Sequence, residues 1–124
     1  MNYIQTDKAP SAIGPYSQAL SVNGMVYTSG QIALTPEGKM LERDVVVQTK
    51  QVLKNLAVVL EAAGSSLQSV IKTTIFLESM DDFVTVSEIY SEAFGDHKPA
   101  RSTVAVKTLP KNALVEIDAI AVVN

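Results

Sequence analysis

The chain contains no cysteine and no tryptophan, and a single histidine. Without cysteine there is no disulfide, no thiol nucleophile and no thiolate-ligated zinc. One histidine, His97, cannot supply a two-histidine metal site within one chain. Its place in the loop segment DHKPA reads as a solvated side chain. Basic residues are also few: ten Lys and Arg stand against thirteen Asp and Glu, a net charge of -3. That balance argues against a nucleic-acid partner. No apolar run approaches the roughly 20 residues that cross a bilayer. The opening MNYIQTDKAP has no apolar stretch of the signal-peptide kind, so the expectation is a soluble, cytoplasmic protein with no membrane partner. Phosphate loops of the Walker or GxGxxG type, HExxH and GxSxG are all missing. Metal-dependent hydrolysis, nucleotide chemistry and serine catalysis therefore lack their usual signatures.

What is present is the composition of a compact domain. Over 124 residues, 47% are hydrophobic and 19% charged, enough for one core and too little for two. Residues 16–22 and 25–29 flank Asn23-Gly24, which tolerates the positive φ angles of a two-residue turn and predicts a hairpin. From Asp44, a plausible N-cap, Val45, Val52, Leu53, Leu56, Leu60 and Ala63 recur at helical spacing until Gly64. VIKTTIFLE (70–78) is rich in β-branched residues and reads as a strand. A second helix, capped by Ser79 or Asp81, presents Phe83, Val86, Tyr90 and Phe94 on one face and stops at Gly95. RSTVAVKTL (101–109) and ALVEIDAIAVV (113–123) read as strands of a hairpin joined through Pro110-Lys111-Asn112.

The expected order is β-β-α-β-α-β-β: an α+β domain over 1–124, with a mixed sheet of five or six strands and two helices on one face. The last strand is apolar on both sides, with Ile120 and Val122 beside Glu116 and Asp118 on the face away from Val115, Ile117 and Ala119. Two helices cannot cover both faces, so further copies of the chain are expected to cover the second.

Polar chemistry is then left to a few strand residues. Arg101 opens a strand of small and β-branched residues, where a guanidinium can clamp a carboxylate in a bidentate fork or lie at the surface. Glu116 sits mid-strand between apolar neighbours. A carboxylate there is costly unless paired or used, and desolvation would suit it to accept a proton near neutral pH. Tyr16, after Gly14-Pro15, can present a phenol to a pocket or pack half-buried; Ser29-Gly30 permits close backbone approach to a ligand or makes a turn. In a hairpin turning at 110–112, Glu116 would face residues 105 or 106, leaving Arg101 about 13 Å away along the strand. Cooperation between the two would then require neighbouring subunits.

The segments IGPYSQA (13–19), YTSGQI (27–32), VLEAAGSSL (59–67), VIKTTIFL (70–77), KPARSTV (98–104) and LVEIDAIA (114–121) resemble the RidA subfamily of reactive intermediate deaminases. The likeness runs nearly end to end, and the PARS and VEIDAIA segments at this spacing are its most specific part. It implies a chorismate-mutase-like fold, a homotrimer with clefts between subunits, no metal and no cofactor. The implied activity is hydrolysis of 2-imino acids and their enamine tautomers to 2-oxo acids and ammonia. By the same resemblance, Arg101 would hold the substrate carboxylate and Glu116 would activate water. Tyr16, Ser29 and Gly30 would line the cleft from the Glu116 side. The Thr103 backbone would receive the imine nitrogen, and Ser87 would contribute from a helix. Ser87 stands where many relatives have Asn, Thr103 where many have Cys, and Asp118 where Glu is frequent. The alternative is a ligand-sensing or regulatory module, translation-inhibitor or chaperone-like, using the same cleft without turnover.

Overall fold

A computed structural model describes residues 1–124. Six strands form one sheet: β1 (Asn2–Ile4), β2 (Ala19–Val22), β3 (Met25–Thr28), β4 (Val70–Leu77), β5 (Ala100–Ala105) and β6 (Val115–Val122). Their spatial order is β1-β2-β3-β6-β4-β5. Two helices, α1 (Val45–Ala62) and α2 (Phe83–Phe94), supply the helical layer. The α+β architecture with a mixed sheet is as expected. The three-residue β1 is an addition, too short to show any period in sequence, and it pairs antiparallel with β2. No helix is long and apolar enough to cross a membrane.

The start of α1 runs through three valines, poor helix formers because their χ1 freedom is lost against the preceding turn. The end is fixed instead by Asp44, whose carboxylate accepts a 3.0 Å hydrogen bond from the Val47 N–H. Burial holds the rest: Val52, Leu56, Val59 and Leu60 are fully buried against Val26, Ile117 and their neighbours. Truncating Leu56 to alanine would cost on the order of 2–5 kcal/mol. The hairpin between β2 and β3 turns at Asn23 (φ 52) and Gly24 (φ 77), the backbone that Asn-Gly favours.

The expected C-terminal hairpin does not form. β5 pairs in parallel with β4, and β6 pairs antiparallel with the other edge of β4 and with β3. The reason lies in the β4–α2–β5 crossover, which returns the chain parallel to β4 and places β5 at the sheet's outer edge. Residues 106–114 then cross the end of β4, with Val106 N–H donating to Leu77 O and Glu78 N–H to Leu114 O. Lys111 and Asn112 turn this crossing with left-handed backbone, φ 54 and φ 56. β6 is thereby central, its Val115, Ile117, Ala119 and Ala121 in the core. The opposite sheet face carries Tyr3, Tyr27, Phe76, Val104 and Ile120 around Lys72, Glu116 and Asp118, and no helix covers it. Tyr3 is 73% exposed and Tyr27 and Val104 are each 45% exposed, so the second apolar face read from sequence is present.

Candidate active site

Strand alternation puts Arg101 and Glu116 on opposite faces of the sheet. Arg101 pairs with Thr73, whose hydroxyl shares a 2.7 Å hydrogen bond with Tyr90 of α2. The guanidinium carbon lies 5.1 Å from the Tyr90 ring centre and 5.5 Å from that of Phe83. Arg101 is therefore on the helical side, steadied by two aromatic faces. Glu116 pairs with Phe76 between the buried Val115 and Ile117, so its side chain leaves the uncovered face. Three residues along β4 and two strand spacings separate the pair, about 14 Å between backbones. The separation expected from a hairpin is thus reached by another geometry, one that also places the sheet itself between the two groups.

Each group is unpaired. The single ion pair in the chain joins Arg43 to Glu78 at 3.1 Å, and it is exposed. Burial pushes the Glu116 carboxyl above its ordinary range, and the nearby Asp118 charge pushes the same way. Burial also raises Asp118, opposed by the Thr74 backbone donor and by the Lys72 charge. Structural ion pairing, the simplest reason for an acid at this position, does not account for Glu116.

A β-bulge sets the surroundings of that carboxyl. Tyr27 pairs with Ile120 and Gln31 with Ile117, four steps on one strand against three on the other. The extra residue breaks the ladder at 28–30, and the Thr28 hydroxyl substitutes for a backbone carbonyl by accepting from Ala119 N–H at 3.0 Å. Gly30 is thereby driven against Glu116: a Cβ at this position would lie 2.8 Å from the carboxyl carbon and 3.1 Å from Cγ. Gly30 does not adopt a left-handed backbone, so its need is for space and not for φ.

The expected site residues fall into two groups. Tyr16, Gly30 and Glu116 line one cavity of about 280 Å³, together with Pro10, Ile13 and Ile32. Ser29 lies just behind Tyr16 in an adjoining groove, its hydroxyl donating to Ser17 O. Arg101 and Ser87 share a second cleft of about 230 Å³ with Tyr90, Ser91, His97 and Lys98. Thr103 lines neither; its hydroxyl oxygen is buried with no hydrogen-bond partner. His97, expected to be solvated, is half-buried and its Nε2 lies 2.6 Å from Val70 O, so it braces the loop before β5. The sequence offered no direct sign of the cavity's outer walls, which come from irregular segments around Pro10, Ile32 and Lys111. No three acidic or histidine side chains converge as metal ligands would.

Residues 6–123 match the family described as Endoribonuclease L-PSP. The chain belongs to that family, whose members include the reactive intermediate deaminases. A mouse relative named 2-iminobutanoate/2-iminopropanoate deaminase is 50% identical over 120 residues, covering 96% of this chain and 89% of its own. Reactive Intermediate Deaminase A of Arabidopsis thaliana is 50% identical over 119 residues, which are 95% of this chain and 64% of the plant protein. Among solved structures, Escherichia coli TdcF with bound serine superposes with a TM-score of 0.94 at 41% identity, covering all of both chains. The Rid resemblance read from the motifs is borne out by these relatives, and the expected fold by the superposition.

Proposed function

We propose that this protein is an enzyme hydrolysing 2-imino acids, such as 2-iminobutanoate and 2-iminopropanoate, and their enamine tautomers to 2-oxo acids and ammonia. The observation that carries the reading is the pair of unpaired half-sites, a guanidinium on one sheet face and a desolvated carboxyl on the other. It stands in a chain half identical to a mouse protein named for that activity. Because one chain keeps the halves apart, the working cleft lies between subunits of a homotrimer, with the uncovered sheet faces turned inward.

In that cleft Arg101 holds the substrate carboxylate in a bidentate fork, and its stacking on Phe83 and Tyr90 fixes the plane of the fork. Ser87 and the Thr103 backbone border the same end. From the neighbouring subunit, Glu116 takes a proton from water while the water oxygen bonds to the C=N carbon. The C=N electron pair moves to nitrogen, which takes up the proton that Glu116 drew from water. The resulting carbinolamine then expels ammonia as its hydroxyl becomes the ketone. A protonated imine is already a strong electrophile, so orientation and one base of raised pKa suffice. Tyr16, Ser29 and Gly30 bound the Glu116 end.

The test uses threonine dehydratase with L-threonine as an imine source and follows 2-oxobutanoate release. Wild type should accelerate release, and Arg101→Ala and Glu116→Gln should each abolish the acceleration. Co-refolding the two inactive variants should restore activity, because about one interface in four then joins an intact arginine to an intact glutamate. Full activity in either variant sinks the residue assignment. Hybrids that assemble without any activity sink the inter-subunit cleft. The neighbour solved with serine favours a second reading, a sensor that binds small carboxylates without turnover. That reading needs Arg101 but no base, and predicts stabilisation by 2-oxobutanoate in the absence of imine hydrolysis.

A further inference from the structure

Four side-chain amides are buried: Gln18 and Gln31 line the Glu116 cavity, Gln48 and Asn55 lie behind it, and Gln18, Gln48 and Asn55 have no part in the chemistry above. Buried amides are uncommon because each must find partners for both a carbonyl and an NH₂ group. Each of these three bonds to the backbone of an irregular segment that walls the Glu116 cavity or adjoins one of its walls. Gln18 accepts from Thr6 N–H at 2.7 Å and donates to Pro10 O at 2.8 Å and Thr6 O at 3.1 Å. Asn55 donates to Leu34 O at 2.9 Å and Ile32 O at 3.2 Å, and its own carbonyl is held by the Gln51 amide. Gln48 accepts from Leu114 N–H and donates to Glu42 O, both at 2.9 Å, and so ties the entry to β6 onto α1. Gln48 and Asn55 are seven residues apart, two helical turns, so α1 presents both on one stripe inside an otherwise apolar face.

The coincidence is specific. Pro10, Ile32, Leu34 and the Pro110-Lys111 turn are walls of one cavity; Gln18 and Asn55 bond directly to wall residues, and Gln48 holds Leu114, three residues beyond Lys111 on the same crossing segment. An aliphatic side chain of the same size could fill the volume but could not hold a loop carbonyl at a set position. We propose that Gln18, Gln48 and Asn55 are positioning residues for the Glu116 cleft, together setting the placement of its three loop walls. This rests on the deaminase reading for its kinetic consequence, though not for its structural one.

The decisive comparison sets Asn55→Leu beside Val52→Ala, a truncation on the same helix of a buried aliphatic residue that lines no part of the cavity and makes no hydrogen bond to a wall. With 2-iminobutanoate generated in situ, Asn55→Leu should lower kcat/KM by about tenfold or more, chiefly through KM, with the oligomer retained. Val52→Ala, at an equal or larger loss of Tm, should stay within about twofold of wild type. Amide hydrogen exchange supplies a readout independent of activity: protection at 32–34 should fall in Asn55→Leu and hold in Val52→Ala. Should the α1 variant not fold, Gln18→Met, outside the helix, is read through amide exchange at residues 6–9, because Gln18 also lines the cavity. Equal kinetic and exchange effects from the amide and core variants overturn the proposal. If wild type itself shows no imine hydrolysis, the deaminase reading falls, and the exchange comparison alone upholds or overturns the pinning of the walls.

Discussion

Gly30→Ala isolates the position of the Glu116 carboxyl from everything else in the fold. The added methyl would sit 2.8 Å from the carboxyl carbon, whereas unstrained carbon atoms meet at about 3.5–4.0 Å. The carboxyl must therefore retreat by roughly 1 Å, and a misplacement of that size costs a reaction about 100-fold. Stability should barely notice. Gly30 lacks a left-handed backbone, so alanine gains about 0.4–1 kcal/mol by restricting the unfolded chain. That offsets the ~0.5–1.5 kcal/mol cost of turning Glu116 off its preferred rotamer. The expected signature is a large fall in kcat/KM for 2-iminobutanoate with a Tm close to wild type. Coupled imine hydrolysis and calorimetry measure the two quantities on one preparation. A variant with kcat/KM within about threefold of wild type would show that carboxyl placement is not what the bulge secures.

Two further outcomes follow from burial. The folded Glu116 pKa is raised above its unfolded value, so the stability linked to its protonated form is complete at low pH and is lost as pH rises through the folded pKa. Glu116→Gln should therefore be more stable than wild type at neutral pH, and the difference should vanish below about pH 4, where the unfolded carboxylate also protonates. A pH series of melting curves checks this, and a variant less stable than wild type at pH 7 would contradict it. Thr103→Val deletes a buried hydroxyl that has no partner, and should raise unfolding free energy by about 1 kcal/mol in denaturant titrations; destabilisation would mean the hydroxyl is paired in solution.

Much of the fold was legible because several signals agreed at the same positions. Asp44, the apolar stripe and Gly64 mark both ends of α1, and Asn23-Gly24 writes its own turn. The pairing of β5 was not legible. Two strands separated by a short turn look like a hairpin, and nothing in RSTVAVKTL says that α2 has already committed the chain to the parallel edge. Arg101 and Glu116 could be singled out by residue type and neighbours, since charge within an apolar strand is conspicuous. Their opposite faces could not, because facing depends on which strands pair. Gln48 and Asn55 were not singled out, because a polar residue on a helix carries no meaning until the loops it holds are known. Thr28, Gly30 and Gln31 form the bulge only through a register defined by β6, 91 residues away in sequence at the Thr28–Ala119 contact.

The outer position of β5 has a consequence for the life of the protein before it assembles. At the opposite edge β1 is only three residues long, too short a template to recruit another chain. β5 runs for six residues with no proline inside it and Val104 nearly half exposed, and Arg101 is its one charge. An unassembled chain therefore carries an adhesive edge whose single electrostatic guard is the residue assigned to hold substrate. Arg101→Ala strips that guard as well as the anion site. Poor recovery of that variant from cells would then report strand-to-strand aggregation, a matter of proteostasis separate from any loss of turnover.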